Sequence, residues 1–255
     1  MKINNLKNDL IKALEKTLFT QRNVILLHVK LKDIKKIYNL SYDKISNIII
    51  EVLNSTKPEN IIVPTFTPAF IKNKIFDIKN SNSEVGIFSE LFRKNYSKYR
   101  TKDPIFSLCH IKNYETKYKN INFLSAFNKG SIWEYFDKKN ITIMNIGLSQ
   151  LIASQIHYIE FISNVPYRSQ EIKEGYMIDN NNKKIKINYT FYARILKNKL
   201  ILDWNKIEKL LIKENKIHFT NNCPLNLKWF KAKEISSVII PVIKKDPFYL
   251  VHSEK

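Results

Sequence analysis

His157 and Glu160 are the pair in this chain whose types and spacing fit acid–base chemistry. An imidazole with an ordinary pKa of about 6.5 can take a proton near neutral pH. A carboxylate three residues further along a helix lies on the same side of it. The pair falls within Ile141–Arg168, ITIMNIGLSQLIASQIHYIEFISNVPYR. Ile141–Ile146 is short, apolar and β-branched, and reads as a buried strand. Gly147 breaks it. From about Ser149 the residues Leu151, Ile152, Ile156, Ile159 and Ile162 follow helical spacing, and Pro166 ends the run. The predicted unit is a strand, a glycine turn and a helix bearing a base and an acid. As a bare signal it is weak, because a lone histidine beside an apolar face is more often structural.

Composition limits what such a unit could belong to. At 255 residues and 44% hydrophobic content, the chain is long enough for a sizeable core and is read as one domain over residues 1–255. No apolar run approaches the ~20 residues of a membrane span. The opening MKINNLKNDLIKALEK is too regularly charged for a signal peptide, so no membrane insertion is expected. Cys109 and Cys223, the only cysteines, point to a reducing, cytoplasmic setting and offer no metal-binding CxxC spacing. Four glycines leave no phosphate-cradling loop, and each is expected to meet a backbone need. Lys and Arg number 43 against 23 Asp and Glu, a formal charge of +20. That admits a non-catalytic nucleic-acid-binding protein as a distant alternative. The basic residues are dispersed, however, and no aromatic–basic motif accompanies them, so no specific nucleic acid is expected. The charge favours anionic small ligands over polycations.

The elements around the unit follow from pattern. Asn4–Leu18 is an amphipathic helix. Val24–Leu27 is a strand running into His28-Val29-Lys30-Leu31. A helix capped by Ser41 extends to Leu53, and Asn60–Val63 is the next strand. Residues 70–83 show no period and read as a loop. Ser107–Ile111 is a strand with Cys109 buried, and a helix begins at Trp133–Phe136. Lys184–Ala193 alternates in period two and pairs with Gly175–Ile178 around Asp179–Asn182. A short helix at Ile207–Ile212 and a strand at Ile217–Thr220 follow. A last helix, Ala232–Ile240, is one that Pro241 would end or kink.

Several segments, in order, resemble the aminoglycoside 3-N-acetyltransferase (antibiotic acetyltransferase) family over roughly residues 20 to 250. His157-Tyr158-Ile159-Glu160 is similar to that family's His-x-x-Glu helix. Pro64-Thr65-Phe66-Thr67 resembles its Met-Pro-Thr-Phe-Thr loop, and Gly86 to Arg93 its Met-Gly-x-x-x-Glu-x-Phe-Arg helix. Arg100, Pro104 and Ser107 match Arg-Ser-x-His-Pro-x-x-Ser, with Asp103 in place of the histidine. Gly130-Ser131 matches the segment before the central strand. His28 and Leu31 match a His-Ser-Ser-Leu stretch in which Val29 and Lys30 replace the serines.

The resemblance implies a three-layer α/β/α sandwich with an additional β-hairpin. It implies an acyl-CoA-dependent N-acyltransferase that needs no metal and takes acetyl-CoA or another acyl-CoA as donor. His157 would be the general base and Glu160 its partner. His28, Val29, Lys30, Leu31, Thr65 and Ser107 would contact coenzyme A, and Glu90 and Asp103 the acceptor. The small-molecule acceptor expected is an amino sugar, nucleotide-linked, in cell-surface glycan biosynthesis, with an aminoglycoside antibiotic as the alternative. That preference rests on the chain's cationic character and on Asp103.

Overall fold

The computed structural model describes residues 2–15, 23–195, 199–220 and 223–253. Helix α1 (Lys2–Glu15) buries Leu6, Leu10, Ala13 and Leu14; Leu18 lies outside the described residues. Strand β1 (Val24–Val29) passes almost directly into α2 (Leu31–Tyr38), a helix the sequence pattern did not separate from the strand. Helix α3 (Tyr42–Ser55) is capped as expected, Ser41 Oγ accepting the Lys44 amide at 3.3 Å. After β2 (Asn60–Pro64), the stretch predicted as a loop instead forms α4 (Phe70–Asn73) and β3 (Ile75–Asp77). Tertiary burial of Phe70, Phe76 and Ile78 orders it, which local period could not reveal. Helix α5 (Ile87–Asn95) and strands β4 (Tyr99–Arg100) and β5 (Leu108–His110) follow. Next come α6 (Ile132–Lys139), β6 (Thr142–Ile146) and α7 (Gln155–Ile162). The hairpin is β7 (Arg168–Ile178) and β8 (Lys184–Arg194), its first strand reaching back seven residues beyond the predicted start at Gly175. The chain closes with β9 (Leu200–Leu202), α8 (Trp204–Lys213), β10 (His218–Phe219), β11 (Leu227–Lys231), α9 (Ala232–Lys245) and β12 (Val251–Ser253).

One seven-stranded sheet runs β10-β11-β6-β1-β2-β5-β4. Its centre is parallel: β1 pairs with β2 on one side and β6 on the other, and the outer strands are antiparallel. The central strands are apolar on both faces, as a sheet covered on both sides requires. Ile25, Leu27, Ile61, Val63, Met144 and Ile146 face α1, α2, α3 and α5. Leu26, Ile62 and Ile143 face α6, α7 and α9, with α8 packed beside them. This is the expected α/β/α sandwich. A separate three-stranded sheet, β3-β7-β8, carries the hairpin, and β9 pairs with β12 in a small sheet of its own.

Two boundaries depart from the sequence pattern. The helix expected from Ser149 begins only at Gln155, because side chains from β6, β11 and α8 capture the backbone of residues 149–152 in a non-helical loop. Helix α9 continues past Pro241 to Lys245. Pro241 and Ser237, whose carbonyl loses its partner, are both on the exposed side, while Ile235, Ile239 and Ile243 stay buried along the other.

Gly147 turns the chain out of β6 with φ +74°, and a Cβ there would lie 2.9 Å from the Lys30 carbonyl and 2.8 Å from Ile34 Cγ1. Gly175 answers a different need: its Cβ would meet the Lys74 carbonyl and the Phe70 ring, both at 2.7 Å. A left-handed non-glycine residue costs on the order of 1–3 kcal/mol before any clash is counted. Gly147→Ala should therefore destabilise the protein by about 2 kcal/mol or more, read as a lower urea midpoint with unchanged slope. An unaltered midpoint would mean that the β6 exit is not constrained as described.

Candidate active site

The strand–glycine–loop–helix unit delivers His157 and Glu160 on successive turns of α7. A pair three apart need not touch, but here His157 Nδ1 lies 2.7 Å from Glu160 Oε2. Arg168, the first residue of β7, places Nε 2.8 Å from the same carboxylate oxygen and Nη2 3.1 Å from His157 Nδ1. Nδ1 cannot donate to Glu160 and also accept from Arg168. The shorter contact, to an anion, assigns the proton to Nδ1 and leaves Nε2 as the basic nitrogen. Glu160 is fully buried, whereas the His157 side chain keeps 24% of its surface open. The imidazole and the Phe127 ring pack edge to face, with ring centres 5.5 Å apart. Burial first, and the Arg168 charge second, hold His157 below the usual histidine range despite the opposing pull of Glu160. Burial alone would raise Glu160, but hydrogen bonding and charge from His157 and Arg168 carry it below the usual carboxylate range. The result is a neutral, oriented imidazole over a permanent anion, a geometry suited to taking a proton.

Two clefts flank the loop that leads into α7. The first, about 450 Å³, opens at the carboxyl ends of the three parallel strands. Leu27 to Lys32 at the end of β1, Pro64 and Phe66 after β2, and Leu148, Ile152 and Ser154 after β6 line it, and Val85 to Ser89 at the start of α5 close it. Open α/β sheets bind ligands at such strand ends, where the connections diverge to either side. The wall is mostly apolar. His28 Nε2 lies buried in it without a partner among the described residues, and burial drives that imidazole down to about 4, so it is neutral. The second cleft, about 730 Å³, contains His157 together with Gln150, Tyr167, Arg168, Arg194, Asp203, Trp204, Asn205 and His252.

The sequence pattern described as Aminoglycoside 3-N-acetyltransferase matches residues 26–241. The chain belongs to this family. It is thus an acyl-CoA-dependent N-acetyltransferase-type enzyme. Among solved structures of aminoglycoside acetyltransferases it is similar to sisomicin-bound AAC-VIa, with TM-score 0.73 and 15% identity over 94% of this chain and 97% of that one. A mutant of AAC(3)-IVa in complex with a gentamicin superposes with TM-score 0.72 and 14% identity over 96% and 91%. AAC-IIIb in a binary complex with CoASH gives 0.71 and 12% over 94% and 96%. No curated protein matches by sequence. Among the described residues no helix is long and apolar enough to cross a membrane.

Against this acetyltransferase frame the residues named from sequence separate into two groups. His28, Val29, Lys30 and Leu31 line the first cleft together, and Lys30 Nζ also pairs with Asp33 at 3.0 Å. His157 lines the second cleft, with Glu160 directly behind it. The side chains of the other four, Thr65, Ser107, Glu90 and Asp103, are engaged within the fold and line neither cleft. Thr65 Oγ1 donates to the Ser107 carbonyl at 3.2 Å, and Ser107 Oγ donates to the Thr65 carbonyl at 2.7 Å; both residues are fully buried. Glu90 binds Arg93 through two contacts of 2.8 Å and accepts the Ser83 amide. Asp103 accepts the Ile105 and Phe106 amides and the Tyr189 hydroxyl; burial lifts its carboxyl to about 6 against those bonds. Sequence reading missed Arg168, although it stood in the quoted motif. It also missed Arg194, Asp203 and His252, which non-local strand pairing brings to the cleft.

Glu160→Gln should leave Arg168, whose side chain is only 11% exposed, as an uncompensated buried cation. Breaking such a pair costs about 3–5 kcal/mol, and adding Arg168→Met should recover much of it in urea unfolding. The same substitution removes the group that pulls the His157 pKa upward. NMR titration should therefore find His157 below about 6.5 in the parent and lower still in the variant. Since the folded value is depressed, the histidine's contribution to stability is complete above about pH 6.5 and declines as pH falls. A His157 pKa that rose in the variant would contradict the proton assignment.

Proposed function

We propose that this chain transfers an acetyl group from acetyl-CoA to the amine of an amino sugar, with His157 as the general base. The observation that carries the reading is the Glu160-oriented imidazole of His157, its basic Nε2 without a partner among the described residues, one loop away from a cleft suited to coenzyme A. That cleft fits the donor: an apolar wall for the pantetheine arm, Lys30 and Lys32 for phosphates, and a buried His28 nitrogen without a partner among the described residues. The Lys30 amide is taken by the Ile146 carbonyl at 3.0 Å. No described side chain caps the first turn of α2 beyond it, whose amides suit negative charge. The neutral amine attacks the thioester carbonyl, and its proton passes to His157 Nε2. The C–S bond then breaks, and the departing thiolate takes a proton to leave as CoASH. Glu160 holds the imidazole in the required tautomer and favours the imidazolium as it forms.

The acceptor we favour is anionic, a nucleotide-linked amino sugar of cell-surface glycan synthesis. Asp203 is the only carboxylate among the described residues lining the His157 cleft, and it already caps α8 through the Lys206 amide and faces His252 at 3.6 Å. The Arg168 charge is matched by Glu160. Arg194 has, among the described residues, only the Leu200 carbonyl, at 3.3 Å. A polycationic aminoglycoside needs carboxylates to offset its desolvation, and this cleft presents a spare cation instead. The second reading, aminoglycoside acetylation, draws on the gentamicin and sisomicin complexes of the similar structures.

His157→Ala should lower turnover by about 10²-fold or more, as for loss of a general base, while acetyl-CoA binding measured by calorimetry stays intact. Normal turnover would remove His157 from the role. Comparing kcat/KM for UDP-linked amino sugars and for gentamicin- and kanamycin-type amines decides the acceptor. Arg194→Gln should raise KM for the nucleotide-linked acceptor about tenfold, the worth of one charge-assisted contact, and leave KM for acetyl-CoA alone. Efficient acetylation of aminoglycosides with none of the nucleotide sugars would establish the second reading.

A further inference from the structure

The loop between β6 and α7 is shared by both clefts: Leu148, Ile152 and Ser154 line one and Gln150 the other. Side chains, not regular secondary structure, hold its backbone. The fully buried Asn145 donates from Nδ2 to the Ile152 carbonyl at 3.0 Å and accepts the Ile152 amide at 2.8 Å. Its amide thus imitates a strand neighbour. Lys228 stands opposite Asn145 in the β6–β11 ladder. Its Nζ donates to the Ser149 carbonyl at 2.9 Å and to Glu208 Oε1. Glu208, on α8, accepts the Leu151 amide at Oε2, 2.9 Å. The Lys228 and Glu208 side chains are 8% and 14% exposed, so the pair is not a solvated surface bridge.

We infer that Asn145, Lys228 and Glu208 form a clamp that sets the donor and acceptor clefts in register, acting as positioning residues through the loop they hold. The inference rests on the reading that the two clefts take the two substrates. A buried ion pair is a poor source of net stability, since desolvation offsets its attraction. What this one supplies is geometry. It ties the end of β6, the antiparallel strand β11 and helix α8 to the backbone at Ser149, Leu151 and Ile152, and the last of these leads directly towards the helix bearing His157. Acyl transfer needs the amine, the base and the thioester in line, and a misplacement of about 1 Å costs on the order of 10²-fold in rate. An unclamped loop would have to be ordered by the substrates in each turnover.

The test uses the double variant Lys228→Met/Glu208→Gln, which removes both charges together and leaves neither orphaned, and Asn145→Leu separately. With acetyl-CoA and whichever of a UDP-linked amino sugar or sisomicin the parent acetylates, kcat should fall by about 10- to 100-fold. KM for acetyl-CoA should move by less than about threefold, and Lys228→Arg should retain most of the parent kcat because it keeps the charge-assisted contacts. Hydrogen exchange supplies a readout that needs no turnover: the Leu151 and Ile152 amides should exchange roughly tenfold faster in the double variant, with β1 and β2 amides unchanged. A kcat within about twofold of the parent in both variants overturns the clamp, as does a loss of kcat that tracks a loss of folded protein. If the parent acetylates neither acceptor, the acceptor reading fails by itself. The exchange experiment then decides the clamp, and unaltered exchange at Leu151 and Ile152 overturns it.

Discussion

A carboxylate with no exposure to solvent is the constraint around which this structure is arranged. Burial alone would push the Glu160 carboxyl upward, because it disfavours the charged form. Two cationic or proton-donating partners reverse that, and each comes from a different element: His157 from the same helix, Arg168 from the first residue of the hairpin. The ion pair therefore joins α7 to β7 at the point where the main sandwich meets the three-stranded sheet. Through Arg168 the hairpin is anchored to the His157–Glu160 pair, and the strand that carries Arg194 to the same cleft is anchored with it.

The sheet sets where that constraint can act. Parallel pairing of β1 with β2 and β6 brings three strand ends to one edge, and the chain leaves those ends in different directions: into α2, into the Pro64–Pro68 loop and through Gly147. The first cleft is the gap between those departures. The second is built by elements outside the main sheet, β8, β9 and β12, which converge on the far side of the 148–154 loop. The two clefts thus lie on either side of one loop, and His157 lines the second of them.

The parts legible from sequence were those with local signatures. The central strands, the Ser41 cap, the Gly147 break and the His157–Glu160 spacing each follow from residue type and period alone. Where local pattern failed, a tertiary partner had overridden it. Leu151 and Ile152 carry helical spacing, yet Asn145, Lys228 and Glu208 hold their backbone in a loop. Phe70, Phe76 and Ile78 lack a period because burial against the hairpin, not amphipathicity, orders their segment. Pro241 should stop a helix, but its missing donor falls on the solvated side of α9. The motif resemblance led to residues that line the two clefts at His157 and at His28 to Leu31. Thr65, Glu90, Asp103 and Ser107, named from the same resemblance, have polar atoms engaged within the fold. Matching a motif did not distinguish residues that build the loop from residues that line the cleft.

Asp103 has a part in the fold itself. At the sequence level it was an acid in place of a histidine, read as lying beside the acceptor. In the structure its carboxylate accepts two consecutive backbone amides and a tyrosine hydroxyl from β8. An imidazole has at most one acceptor nitrogen and could not satisfy all three donors. The substitution thus suits a buried link between the 100–107 turn and the hairpin. The charge facing the second cleft is then set by the partners of its own lining residues. Arg168 is neutralised from behind by Glu160, Asp203 is engaged by a helix terminus and by His252, and Arg194 has a carbonyl alone among the described residues. A net positive charge of +20 spread over the surface says little about one site. An arginine that no described anion meets, in the cleft that holds His157, says more, and it is on that residue that the proposal of an anionic acceptor rests.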